Sequence, residues 1–283
     1  MMPCYNPITA YRSNYVNPVT EKRQITFNRK NGFEDMQLSL PCGKCEGCLK
    51  KRVDMWALRC MHEAAQHEEN CFITLTYSDE FLPPNNSLLH RDFQLFMKRL
   101  RRHFQGKKIR YFMCGEYGSL NFRPHYHALL FGVDFSDKIQ VSTTGDVINY
   151  SSSLLSSLWS LGHVDLGMVH YGTAKYCAKY SLKALEDEGI DYNLLGIKPE
   201  YQKMSTGIGA AHATKFSNEI GVHDNLIVNG FKNPVPRYYE NFISPSVLQD
   251  MKDDRVKKMR GHTLQELNVK RIIKGNEYKL WKK

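Results

Sequence analysis

Two histidines one residue apart, His125 and His127, sit in the mostly apolar run "RPHYHALLFG", Arg123 to Gly132. In an extended strand successive side chains alternate faces, so both imidazoles point one way while Tyr126 and Ala128 point the other. The preceding "IRYFMCGE" is also strand-like, and the residues Gly118 to Arg123 between the two runs suit an antiparallel hairpin. If that hairpin pairs Cys114 with His127, Glu116 falls opposite His125 and joins both imidazoles on one face. A slip of one residue would turn Glu116 away. One carboxylate and two imidazoles make a site for a divalent ion such as Mg²⁺ or Mn²⁺, with positions open for water or phosphate oxygens. By itself the pair carries little, since two ordinary strand histidines would read the same way.

A second constellation strengthens the first. In "YCAKYSLK", Tyr176 and Tyr180 are four residues apart on a helical segment, and Lys179 and Lys183 each follow a tyrosine by three. Those offsets align two phenols and two ammonium groups on one stripe. An amphipathic helix with core tyrosines and solvated lysines would account for either tyrosine alone, but less readily for the doubled Tyr-x-x-Lys. The cysteines form a third group. Three of the eight crowd into "PCGKCEGC" as Cys42, Cys45 and Cys48, while Cys60, Cys71, Cys114 and Cys177 lie singly. Two overlapping CxxC spacings in a reducing cytosol read more easily as a structural Zn²⁺ site than as disulfides, with Cys4 the nearest candidate for a fourth ligand. The alternative is a turn carrying incidental reduced thiols.

The chain has 283 residues, 42% of them hydrophobic, which suffices for a sizeable core, and its formal net charge of +10 favours a polyanionic partner, nucleic acid first. No apolar run approaches the roughly 18 residues that span a bilayer, and the polar N-terminus lacks a signal-peptide core. The expectation is a cytoplasmic protein with no membrane partner.

Elements must position these groups. Residues 1 to about 49 read as irregular, carrying Pro3, Pro7, Pro18 and Pro41 and one strand-like run at Gln24 to Asn28. A helix is predicted from about Leu49 to Glu68, a strand from Phe72 to Tyr77, and a second helix from about His90 to Phe104 with Phe93, Phe96, Met97 and Leu100 on one stripe. The exit of that helix, "KRLRRHFQGKKIR", holds seven Lys or Arg in thirteen residues and no acid, either a solvated face or a nucleic-acid footprint. The hairpin follows, then a Ser- and Thr-rich connection, a short helix near Leu154 to Leu161, a strand Gly162 to Leu166 and a third helix Thr173 to Glu186. Beyond Gly189, Gly207, Gly209 and "NPVPRYY" mark loops before a basic tail. The expected organisation is an N-terminal extension with the cysteine cluster and first helix over 1–66, a core over 67–190, and a basic C-terminal region over 191–283.

The set "FITLTY", "GEYG", "RPHYHALLFG", "YCAKYSLK" and "CGKCEGC", with the later "GIG" and "PVPRYY", occurs in order from residue 4 to about 239. It resembles the HUH endonucleases, and among them the rolling-circle replication initiators of small single-stranded DNA phages, microviruses of the gokushovirus branch. Tyr126 departs from the aliphatic middle residue more usual between the two histidines. The resemblance implies an α+β fold built on an antiparallel sheet (an HUH, ferredoxin/RRM-like palm) with flanking helices on one face and the His pair on an inner strand. It implies a catalytic Mg²⁺ or Mn²⁺ held by His125, His127 and Glu116, and nucleophiles at Tyr176 and Tyr180 assisted by Lys179 and Lys183. Attack on origin DNA would leave a 5′-phosphotyrosine and a free 3′-hydroxyl to prime replication, and the strand could afterwards be rejoined.

Single-stranded or locally melted origin DNA is the expected partner, with phosphate contacts from Lys98, Arg99, Arg101, Arg102 or Arg123. No G-x-x-x-x-G-K-[ST] loop occurs, so strand separation would fall to a host helicase and synthesis to a host DNA polymerase, in the host bacterial cytoplasm. Other readings stay open: an HUH transposase or relaxase sharing the chemistry, a nuclease using water, or a non-catalytic zinc-stabilised DNA-binding regulator.

Overall fold

The computed structural model describes residues 4–19, 21, 23–118, 121–145, 147–183, 191–228, 230–258, 263 and 265–273. Two compact units divide the chain, Met1–Arg52 with Arg260–Lys283, and Val53–Met259.

The first unit differs from the irregular extension expected of it. Strands β1 (Ile8–Val16), β2 (Arg23–Thr26) and β3 (Gly32–Leu40) form an antiparallel sheet in the order β2-β1-β3. The prolines that argued against structure bound these strands instead of interrupting them. Pro7 precedes β1, Pro18 lies between β1 and β2, and Pro41 follows β3, where no ladder N–H is needed from them. The strands are polar and exposed on most positions, so they lack the alternation that marks a half-buried strand. Helix α1 (Glu46–Ala64) begins at the cysteine run and continues into the second unit.

In the second unit alternation is clean. Strand β4 (Asn70–Tyr77) buries Cys71, Ile73, Leu75 and Tyr77 on one face and turns Phe72, Thr74 and Thr76 to the other. Helix α2 (His90–His103) follows, then the hairpin β5 (Arg110–Tyr117) and β6 (Pro124–Phe131). A second hairpin, β7 (Ile139–Thr144) and β8 (Val147–Ser151), occupies the connection read as Ser- and Thr-rich, because its Ile, Val and Thr residues suit a pleated strand as well as a loop. Helix α3 (Ser153–Trp159), strand β9 (Gly162–Gly167), helix α4 (Tyr171–Lys183) and strand β10 (Tyr201–Met204) complete a seven-stranded sheet in the order β10-β5-β6-β4-β9-β8-β7, all pairs antiparallel. Helices α5 (Ala210–Lys215) and α6 (Ser217–His223), the hairpin β11 (Leu226–Val228) and β12 (Phe231–Asn233), and helix α7 (Pro245–Lys258) follow.

This is the expected α+β architecture with the His pair on an inner strand, β6. One detail is corrected: helices cover both faces of the sheet. On one face the α2 stripe Phe93, Phe96, Met97 and Leu100 packs with Ile73, Leu75, Tyr126, Ala128 and Trp159 of α3 in the main core. On the other, Trp56 of α1 meets Phe112 of β5 at 5.2 Å between ring centroids, and α4 lies over β5, β6 and β10. The reason is the residue pattern of β5 and β6. Both faces of these inner strands are apolar over much of their length, so each needs a cover.

Candidate active site

Register decides whether the site exists, and β5 pairs β6 with Cys114 opposite His127, Gly115 opposite Tyr126 and Glu116 opposite His125. Glu116, His125 and His127 therefore share the face that α4 covers. Glu116 and His127 are buried, at 5% and 8% exposure, and His127 Nε2 lies 2.6 Å from Glu116 Oε1.

Two residues that sequence reading left without a role hold the imidazoles in place. Thr74 Oγ1 lies 2.9 Å from His127 Nδ1, and Thr76 Oγ1 lies 3.0 Å from His125 Nδ1. Their strand β4 pairs with β6 on the side away from β5, with Thr74 opposite His127 and Thr76 opposite His125. Because a hydroxyl both donates and accepts, each threonine fixes its ring through Nδ1 and leaves Nε2 toward Glu116 or the cleft. The signal was the Thr-x-Thr spacing in "FITLTY", which is the strand period. Phe72, two residues earlier on the same face, lies parallel to the His127 ring at 5.8 Å and 4°. Burial lowers the His125 pKa, and His127 and Arg123 lower it further against an opposing effect of Glu116.

The nucleophile candidate arrives on α4. Ala174, Cys177 and Ala178 are fully buried, and these small side chains let the helix approach the sheet closely. Lys175 pairs with Asp54 of α1 at 3.2 Å, and Gln202 of β10 donates to the Cys177 carbonyl at 3.2 Å, fixing the helix from two sides. The Tyr176 hydroxyl then donates to Glu116 Oε1 at 2.9 Å and lies 3.4 Å from His127 Nε2. Lys179 stands partly buried on the next turn. The helix backbone runs on through Tyr180 and Lys183, but the side chains of those two residues lie outside the described residues.

The donor set suits a divalent ion: two imidazole nitrogens and a carboxylate on one face, each imidazole held through its far nitrogen. Gly118 keeps the approach to His125 clear. A Cβ there would lie 2.8 Å from His125 Nε2, so any larger residue would crowd that nitrogen. The three groups are not drawn tightly together, since the two histidine ring centroids stand 6.4 Å apart. Among the described residues, the cluster that does bring four ligand atoms within 4.8 Å of one another is Cys4, Cys42, Cys45 and Cys48, which could hold a metal such as zinc. Cys4 Sγ lies 3.6 Å from Cys42 Sγ and 3.8 Å from Cys45 Sγ. Backbone amides of Tyr5, Cys42 and Cys45 donate to the sulfurs of Cys45, Cys4 and Cys42 at 3.2 to 3.3 Å. Burial acts to raise the Cys42 thiol, but amide donors from Lys44 and Cys45 outweigh it and bring its pKa down to about 7.

The residues singled out for phosphate contact fall in two places. Lys98, Arg99, Arg101 and Arg102 ride on α2, which packs on the face opposite the His pair. Arg99 donates to the carbonyls of Leu158 and Trp159 at 2.6 and 3.0 Å, and Arg101 to that of Ile109 at 3.2 Å, so two of these four side chains also stitch the fold. Arg123 stands nearer the site. It donates to the Tyr77 carbonyl at 2.8 Å and pairs with Asp79. The site face itself continues past Thr74 and Thr76 onto β9, where Asp165 and His163 lie in register with them and are exposed.

A family model for replication-associated proteins of the ORF2 type matches residues 70–185. The chain is similar to replication-associated protein VP4 of Bdellovibrio phage phiMH2K, 30% identical over 228 residues that cover 76% of this chain and 70% of that protein. It is similar to replication-associated protein ORF4 of Chlamydia phage 1, 30% identical over 76% of this chain and 56% of the relative. A third relative, replication-associated protein ORF2 of Spiroplasma virus 4, is 29% identical over 85% of this chain and 79% of its own length. No solved structure matches the chain.

Proposed function

The chain belongs to the replication-associated protein family typified by these phage relatives, and from that premise we propose that it initiates rolling-circle replication by nicking origin DNA through transesterification. The observation that carries the reading is the Tyr176 hydroxyl, 2.9 Å from Glu116 Oε1 and beside His127.

The phenol oxygen of Tyr176 attacks phosphorus, the bond to the 3′-oxygen breaks, and a 5′-phosphotyrosine and a free 3′-hydroxyl result. Glu116 Oε1 holds the phenol proton and receives it as the new bond forms. The 3′-oxygen leaves with a proton from solvent. His125, His127 and Glu116 would hold Mg²⁺ or Mn²⁺, which when bound supplies positive charge to the scissile phosphate. Lys179 stands one turn on, where an ammonium group favours negative charge developing near the phenolate. Tyr180, with Lys183, is the second nucleophile. While the first tyrosine holds one DNA end, the second cuts the regenerated junction and the product strand is rejoined, because the phosphotyrosine conserves the energy of the phosphodiester.

The strand lies over the uncovered part of the face, along Thr74, Thr76, His163 and Asp165, and Arg123 is placed to meet its phosphates. Lys98, Arg99, Arg101 and Arg102 meet only DNA that passes to the other face. Zinc on Cys4, Cys42, Cys45 and Cys48 stabilises the first unit. A host helicase would open the duplex and a host DNA polymerase would extend the 3′-hydroxyl, in the bacterial cytoplasm. The relatives are replication-associated by name, which favours an initiator over a transposase or relaxase.

The test is a nicking assay on an end-labelled origin strand. Cleavage should require a divalent ion, stop with EDTA, and be lost in His127→Ala. Cleavage that survives both would remove the metal site from the mechanism, and cleavage without protein-bound DNA would point to a nuclease that uses water.

A further inference from the structure

Away from the Tyr176 site, four rings form a stack that runs from the core to the surface. Tyr239 is fully buried, and His62 of α1 lies on it at 5.7 Å and 22°. His212 of α5 stacks on His62 at 3.7 Å and 14°, and Phe216 flanks His212 at 4.6 Å and 41°. The outer end of the stack opens into a cavity of about 460 Å³ whose rim carries Glu219, Asn225 and Lys232. That volume falls in the range of small-molecule sites, roughly 300–1,000 Å³.

The stack is uncharged at neutral pH. Burial, reinforced by the neighbouring His212, holds the His62 pKa down to about 3, and burial followed by Lys215 lowers that of His212. Burial raises the Tyr239 pKa, so its hydroxyl keeps its proton. A buried phenol needs an acceptor, and His62 Nδ1 lies 2.9 Å away. With Nδ1 accepting, the Nε2–H of His62 is left as a donor; His62, only 6% exposed, lines the cavity. The cavity thus offers aromatic faces, one N–H donor at depth, an amide at Asn225 that both donates and accepts, and a cation at Lys232 on the rim.

We propose that this cavity receives one unpaired nucleobase of a single DNA strand. The base continues the stack against His212 and Phe216, Asn225 and His62 meet its edge, and Lys232 meets a flanking phosphate. Neutral aromatic rings stack on any base, whereas the polar edge gives a preference among bases. The choice of DNA as ligand rests on the origin-nicking reading above, while the cavity and its ring stack do not.

The test places 2-aminopurine at successive positions of an origin-strand oligonucleotide and follows its emission on binding to the full chain. One position should respond in the wild type. In Phe216→Ala that response should vanish and the Kd should rise about ten-fold, the effect of losing one base–aromatic stack. Lys232 is exposed, so Lys232→Ala keeps the fold, and it should weaken binding with a salt slope smaller by about one unit. Melting curves verify that Phe216→Ala is folded, and His212→Ala serves in its place if it is not. The proposal is overturned if no position responds, or if the response survives the ring substitutions. Protein–DNA adducts are measured on the same strand: wild-type adducts without a responsive position sink the cavity alone, and absent adducts sink the nicking reading while the emission still judges the cavity.

Discussion

Replacing Thr74 by Val keeps the shape of the side chain and removes one hydroxyl, the group 2.9 Å from His127 Nδ1. As a fold contribution that bond is worth about 1 kcal/mol, so the variant should fold and melt only slightly earlier. As a positioning contribution it is worth more. Losing the partner that orients a metal-holding histidine typically costs about 10–100-fold in metal affinity or activity, about 1.4–2.7 kcal/mol. Thr74→Val should therefore raise the Mn²⁺ concentration for half-maximal nicking by about ten-fold or more, whereas Thr74→Ser, which keeps the hydroxyl, should recover most of the loss. Thr76→Val should act the same way through His125, whose Nδ1 lies 3.0 Å from Thr76 Oγ1. The assay is origin-strand cleavage titrated with Mn²⁺, with thermal melting alongside. If Thr74→Val nicks with unchanged metal dependence, or if Ser fails where Val fails, the threonines do not orient the histidines.

Three further expectations follow from other contacts. Gly118→Ala would set a Cβ 2.8 Å from His125 Nε2 and should cut nicking by about ten-fold while leaving the melting temperature nearly unchanged; equal activity would show that this approach is not used. Tyr126→Phe removes a buried hydroxyl that accepts from the Leu89 amide at 2.9 Å and bonds the Tyr77 hydroxyl at 3.1 Å, on the face away from the site. It should cost about 1–3 kcal/mol in urea denaturation with cleavage at saturating strand intact. His62, with its pKa held near 3, stays neutral in the fold while the unfolded chain takes a proton below about 6.5. Stability is therefore complete above that pH and falls toward pH 3, by at most about 1.4 kcal/mol per unit from this group, and His62→Phe should flatten the slope of denaturation midpoint against pH by up to about one proton.

Much of the site was legible because it depends on periods that sequence carries directly. The strand period set both histidines on one face, and the hairpin length restricted the register to one in which Glu116 joins them. The α2 stripe Phe93, Phe96, Met97 and Leu100 was legible for the same reason, its spacing being that of a helix. What the sequence hid is non-local. Thr74 and Thr76 acquire their role from β4 pairing with β6, far along the chain, and nothing in "FITLTY" alone announces that neighbour. Charge density along α2 could not reveal which side of the sheet the helix takes, nor that Arg99 and Arg101 are engaged with backbone carbonyls. In the N-terminal sheet the strands are exposed on both faces, so burial left no alternation to detect. Tyr126, odd as the middle residue of the pair, is explained by the opposite face, where its hydroxyl joins the Tyr77 and Asp92 network at the start of α2.

The central claim is that Tyr176 is the residue that takes the DNA. Covalent adducts formed on a labelled origin strand can be digested and the DNA-bearing peptide identified by mass spectrometry, in the wild type, in Tyr176→Phe, in Tyr180→Phe and in the double variant. The first cleavage should place DNA on Tyr176, persist in Tyr180→Phe, fall steeply in Tyr176→Phe and vanish in the double variant with strand binding retained. DNA attached elsewhere, or adducts that persist when both tyrosines are gone, would contradict the account.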